Sequence, residues 1–211
     1  MKNLIIVGAG GFGREVLFWA LTAKERDREW KIHGLLDDNP DALQSFSYDL
    51  PILSGIKDCI PRSNDCFVIA VGNPKVKLEI ATILKQKRAC LENIVHSSAV
   101  ISGTAKIGMG CIIGPFTMVS CNSSIEDCVI LNAYSNVGHD VKVGEGSTLS
   151  GHVDLTGRVC LGKGVFIGSN ATVLPGTKIE NFATVGAGSV VVRNVREGTS
   201  VFGNPAKTIA G

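Results

Sequence analysis

From Val95 onward an aliphatic side chain recurs at every sixth position: Ile101, Ile107, Ile113, Val119, Ile125, Leu131, Val137, Val143, Leu149, Leu155, Leu161, Ile167, Val173, Ile179, Val185 and Val191. All 17 positions are Ile, Leu or Val. Four residues after them the chain mostly places small or β-branched residues, among them Ala105, Thr117, Ser123, Ser135, Ser147, Ala171 and Ala183. A period of six matches neither the 3.6 of a helix nor the 2 of a strand. It predicts a β-solenoid in which each six-residue unit forms one short flat side and three sides close a coil of about 18 residues. Each coil adds roughly 4.8 Å of stacked strand, so the stretch from Val95 to Val191 makes about five coils. The aliphatics stack in a narrow interior, and the small residues sit near corners. Gly108, Gly114, Gly144, Gly162, Gly168 and Gly186 are expected at tight corners with unusual φ.

The chain before Val95 has another rhythm. Leu4-Ile5-Ile6-Val7 is a short aliphatic run closed by the cluster Gly8-Ala9-Gly10-Gly11-Phe12-Gly13. Apolar residues at helical spacing follow from Arg14 to about Lys24, then a strand over Ile32–Leu36 that ends at Asp37-Asp38. Phe67–Val71 reads as a further strand, stopped by Gly72-Asn73-Pro74, and Val76–Arg88 as an amphipathic helix. Strand, glycine turn, helix, strand is the order that builds a parallel sheet. The expected architecture is therefore an α/β, Rossmann-like module over residues 1–88 and an all-β parallel β-helix with a tail over residues 95–211.

Composition narrows the setting. A net charge of +2 in 211 residues gives no electrostatic reason for a nucleic-acid or membrane partner. No apolar stretch approaches the ~18 residues of a membrane span. Seven cysteines, an odd number without a CxxC pair and without a leading signal segment, read as reduced thiols of a cytoplasmic protein.

Two places carry candidate chemistry. Gly8, Gly10 and Gly13 form GxGxxG between a strand and a helix. That pattern fits a dinucleotide, a turn kept for close packing, or another phosphate-bearing ligand held by free N–H groups at a helix start. The module has fewer βα units than two mononucleotide halves require, which favours the last. Among the histidines, His33 lies in a strand and His96 at the junction of the two parts. His139 follows the interior Val137 by two residues, projects outward and precedes Asp140. An imidazole with a pKa near ~6.5 can take a proton at neutral pH, and an adjacent carboxylate can orient its ring. Cys111, Cys128 and Cys160 read as structural thiols beside corners.

The six-residue repeat, the glycine-rich module before it and the ending Phe202-Gly203-Asn204-Pro205-Ala206-Lys207 together resemble one family, across both halves of the chain. It is that of bacterial sialic acid O-acetyltransferases and nucleotide-activated amino-sugar N-acetyltransferases, hexapeptide-repeat enzymes with a left-handed β-helix. The resemblance implies acetyl transfer from acetyl-CoA, bound as co-substrate with no permanent cofactor and no metal, to the amino group of a nucleotide-linked 4-amino-sugar in surface-glycan biosynthesis. A sialic acid hydroxyl as acceptor, or a non-catalytic nucleotide-sugar-binding scaffold, are the alternatives it leaves. It implies that Gly10, Gly11, Phe12, Asp37, Asp38 and Gly72 hold the nucleotide sugar, that His139 is the general base supported by Asp140, and that the Gly157 N–H meets the oxyanion. Thr148, where many relatives carry a second His, and Ser169 and Ala187 match positions lining the coenzyme groove. Relatives of this kind form homotrimers with the groove between adjacent prisms. Some hexapeptide-repeat proteins are zinc carbonic anhydrases, which need three histidine ligands from adjacent subunits, and the repeat here holds only His139 and His152, with His96 at its start.

Overall fold

The computed structural model describes residues 1–22 and 29–210. The chain opens with β1 (Lys2–Val7), α1 (Gly11–Thr22), β2 (Trp30–Leu36), β3 (Ile52–Ser54), β4 (Asp65–Ile69), α2 (Pro74–Gln86) and β5 (Cys90–Leu91). The five strands form one parallel sheet in the order β3-β2-β1-β4-β5. β1 is aliphatic without alternation because both sheet faces are covered, and Leu4, Ile6 and Val7 are fully buried. Asn73 caps α2, its Oδ1 accepting from Lys75 N (3.0 Å) and Val76 N (3.2 Å), with Pro74 in the first turn.

Boundaries differ from the pattern in places. The strand expected over Phe67–Val71 runs over Asp65–Ile69. Its polar start is disguised by Asp65, a buried carboxylate that accepts from Asn3 Nδ2 (3.0 Å) and Arg62 N (3.0 Å). The helix expected over Val76–Arg88 runs over Pro74–Gln86. The one expected to reach Lys24 is described to Thr22, and Lys24 lies outside the described residues. β3 and β5 are short edge strands of three and two residues, too brief to show a period.

Beyond the sheet, two-residue strands recur every six residues from β6 (Ile94–Val95) to β22 (Val190–Val191). Up to Thr172–Val173 each pairs in parallel with the strand 18 residues on, as Val119 with Val137 and Val137 with Leu155. They build three faces of a left-handed β-helix, with six strands on the first, five on the second, and a third that the C-terminal hairpin of β23 (Ser200–Gly203) and β24 (Ala206–Ala210) extends to eight. Val137, Val143, Leu149 and Leu155 fill the interior and are fully buried. At the corners Ser123, Ser135 and Ser147 are buried, their hydroxyls donating to the carbonyls of Gly138 (2.8 Å), Ser150 (3.0 Å) and Gly162 (3.0 Å) one coil on. A larger side chain there would displace that bond and the neighbouring turn.

The expectation of unusual φ at Gly108, Gly114, Gly144, Gly162, Gly168 and Gly186 is corrected: none has positive φ. The left-handed positions come two residues later, every six residues from Gly110 (φ 71°) through Asp140 (59°), His152 (60°) and Arg158 (62°) to Gly188 (68°). The glycines first named are required by close approach, since a methyl group on Gly168 would lie 2.5 Å from Ala187 N of the next coil.

Outward residues of the third face explain how the two parts join. Ile94, Ile112 and Ile130 are buried with Leu17, Trp19 and Ala20 of α1 in one apolar cluster. Farther along the same face the outward residue is Thr148, which meets α2 through Lys77. Among the described residues no helix is long and apolar enough to cross a membrane.

Candidate active site

The glycine loop is shaped by contacts with its surroundings. Gly8 has φ 101°, and a methyl group on Gly13 would overlap the Gly8 carbonyl, so the helix can start this close to β1 only without a side chain there. A methyl group on Gly8 would meet Ala70 O at 3.0 Å, which places the loop against the turn leading to Gly72. Gly10 and Gly11 are exposed, and they and Gly72 have open space beside them. Asp37 Oδ2 accepts from Ala9 N (2.8 Å) and Oδ1 from Asn39 N (2.9 Å), while Asp38 Oδ1 accepts from Ile56 N (2.9 Å). Both carboxylates therefore brace backbone turns and keep further lone pairs for a ligand. Phe12 is half-buried, edge-on to Trp19 at 5.9 Å. These six residues gather at the carboxyl ends of the parallel strands, where open α/β sheets hold ligands. Arg14, read from the sequence only as a helix residue, adds a cation here. Its guanidinium lies 3.8 Å over the Phe46 ring, and Nη1 donates to Ala9 O (3.4 Å).

His139 and Asp140 stand on the corner between the first and second faces, after β13 (Asn136–Val137) and before β14 (Lys142–Val143). Their side chains are about half exposed, at 51% and 47%. His139 Nδ1 lies 2.7 Å from Asp140 Oδ2. The hydrogen bond from His139, with smaller contributions from Asn122 and Arg158, holds the Asp140 carboxyl below the usual carboxylate range, against some desolvation. An ionised Asp140 fixes Nδ1 as the protonated nitrogen and leaves Nε2 as the basic one. Nε2 points at Gly157, one coil on, since a methyl group on Gly157 would overlap it. The Gly157 amide finds no acceptor among the described residues. A base and a free N–H donor thus stand side by side on one edge of the prism, as acyl transfer requires.

The remaining expected residues lie elsewhere. Ser169 and Ala187 stack one coil apart on the corner between the third and first faces, joined by Gly188 N to Ser169 O (2.8 Å). The structure does not bring Thr148 to His139. It lies on the third face in β15 (Thr148–Leu149), 5% exposed, with its hydroxyl accepting from Lys77 Nζ. His96 is engaged locally, its Nδ1 accepting from Ser98 N (3.2 Å). His152 stacks on Tyr134 at 4.8 Å, and Tyr134 on Phe116 at 5.0 Å. Burial pushes the Cys111 thiol up to about 12 and that of Cys128 to about 11, so neither offers a thiolate at neutral pH.

Known proteins resemble the chain over nearly its whole length. Residues 3–84 match the model of the PglD N-terminal domain, and residues 161–193 that of the bacterial transferase hexapeptide, six repeats. The chain is 31% identical over 212 residues to the GDP-perosamine N-acetyltransferase of Escherichia coli O157:H7, covering 96% of this chain and 94% of that one. Among solved structures it resembles PerB from Caulobacter crescentus in complex with CoA and GDP-perosamine, with a TM-score of 0.88, 26% identity and coverage of 99% and 97%. It also resembles the acetyltransferase domain of PglB from Neisseria gonorrhoeae in complex with acetyl coenzyme A, with a TM-score of 0.86, 27% identity and coverage of 99% of both chains.

Proposed function

Because this chain belongs to the hexapeptide-repeat acetyltransferase family that includes the GDP-perosamine N-acetyltransferase of Escherichia coli O157:H7, we propose that it moves an acetyl group from acetyl-CoA to the amino group of a nucleotide-linked 4-amino-sugar, in the cytoplasm, for surface-glycan biosynthesis. The observation that carries the reading is the His139–Asp140 pair with the Nε2 edge of the ring packed against Gly157. The sugar amine attacks the thioester carbonyl carbon while His139 Nε2 takes its proton. The oxyanion meets the Gly157 N–H, and the carbon–sulfur bond then breaks. The thiolate of coenzyme A leaves with the proton returned by the imidazolium, which Asp140 stabilises meanwhile. No acyl-enzyme forms.

Residues 1–88 hold the acceptor in this reading. Gly10 and Gly11 at the start of α1 offer N–H groups to the diphosphate, and Phe12, Asp37, Asp38 and Gly72 line the rest. Residues 95–211 bind acetyl-CoA and carry the base. The protein works as a homotrimer. His139 and the coenzyme-lining Ser169 and Ala187 stand on different corners of one prism, so the base of one copy meets the coenzyme corner of its neighbour. Outward residues of the first face support a contact between copies. Val100 and Met118 are 65% and 46% exposed there.

Calorimetry tests the reading cheaply. Coenzyme A and a nucleoside diphosphate are each expected to bind without the other. Failure to bind coenzyme A contradicts the enzyme reading and leaves a nucleotide-sugar-binding scaffold.

A further inference from the structure

Lys77 is fully buried, one turn into α2. Its Nζ donates to Thr148 Oγ1 (2.7 Å) and to the Ser147 carbonyl (3.1 Å), both on the prism. No carboxylate is recorded as a partner of Nζ among the described residues. Burial lowers its pKa to about 7. The two acceptors match the two N–H donors of the uncharged amine, and the ammonium would carry a third. Burying a lysine is costly, and a leucine would close the same interface without that cost.

What the lysine joins gives it a purpose. On one side, α2 follows directly from Gly72 and Asn73, and the Gly8–Gly13 loop rests on the turn before them. On the other, Thr148 belongs to the same coil as His139, whose β13 and β14 precede β15. We infer that Lys77 is a positioning residue for acetyl transfer: through Thr148 and Ser147 it sets the height of the nucleotide-sugar module on the coil that carries the base. The apolar contacts of α1 with Ile94, Ile112 and Ile130 hold the two parts together but fix no register as hydrogen bonds do. Misplacing a reacting amine by about 1 Å costs on the order of 10²-fold in rate.

The inference rests on the function proposed above, so wild-type turnover of a nucleotide-linked amino sugar is measured first. Its absence sinks that reading, whereas the variants below judge Lys77. Turnover is expressed per coenzyme A site counted by titration, which removes any unfolded fraction. Lys77→Met and Thr148→Val are each expected to lower kcat per site by about tenfold or more, with the affinity for coenzyme A and the KM for the nucleotide sugar within about twofold of wild type. The double variant should be no worse than the poorer single one, because both remove one interaction. If Lys77→Met fails to fold, Thr148→Val carries the test. A kcat per site within about twofold of wild type in the variants that fold, or losses that multiply in the double variant, overturns the inference.

Discussion

Replacing His139 by alanine is expected to lower acetyl transfer by roughly 10² to 10⁴-fold, the range general-base catalysis contributes. The side chain is half exposed and lies outside the stacked interior of Val137, Val143 and Leu149. Its removal opens no core cavity, and the melting temperature should stay within a few degrees. The backbone role of the residue survives, because Arg158 N donates to the His139 carbonyl (2.9 Å) whatever the side chain. Coenzyme A affinity should be unchanged as well. The check is steady-state turnover beside coenzyme titration and thermal melting of the same preparation. Turnover within a few-fold of wild type would place the base elsewhere.

Gly157→Ala is expected to have the second largest effect, for a different reason. Gly157 has no positive φ, so alanine suits its backbone, and the Gly176 N to Gly157 O bond (3.0 Å) is untouched. The new methyl group would overlap only the far end of the His139 ring. That ring is half exposed and can give way by a rotation of its side chain, so the clash costs little stability. In the proposed mechanism it moves Nε2 away from the amide that meets the oxyanion, and a displacement of this size is expected to cost about 10²-fold in kcat. Undiminished kcat in a folded variant would show that the ring and the amide do not act together, and loss of folding would show that the ring cannot give way.

Much of this was legible because the constraints repeat. A solenoid imposes the same demand on every sixth residue, and the aliphatic series from Val95 to Val191 answers it without a break. His139 is singled out by its phase against that series, two residues beyond an inward one. The outward series Ile94, Ile112 and Ile130 on the third face marks where α1 lies, but its 18-residue spacing is hidden beneath the six-residue inward one. The coil geometry is harder to read because its corners carry two kinds of residue. One must be small to let the next coil approach, and the other must accept a left-handed φ, a place filled by Asp140, His152 and Arg158 as well as by glycines.

Other features had no periodic signal. Lys77 reads in the sequence as an ordinary solvated helix residue, and only the docking of α2 on β15 buries it. Thr148 could be matched to a coenzyme contact only by its position, whereas the structure gives its hydroxyl to Lys77. Arg14 acquires its place from Phe46, 32 residues away in sequence.

The most direct test of the central claim is a mass-spectrometric assay of acetyl transfer by the purified protein. Acetyl-CoA is offered with GDP-linked 4-amino-sugars, UDP-linked 4-amino-sugars and free sialic acid, and the acetylated atom is located by fragmentation. The account predicts acetyl on the sugar nitrogen of a nucleotide-linked acceptor. Acetylation of a hydroxyl alone, or no transfer to any nucleotide-linked amino sugar, would contradict it.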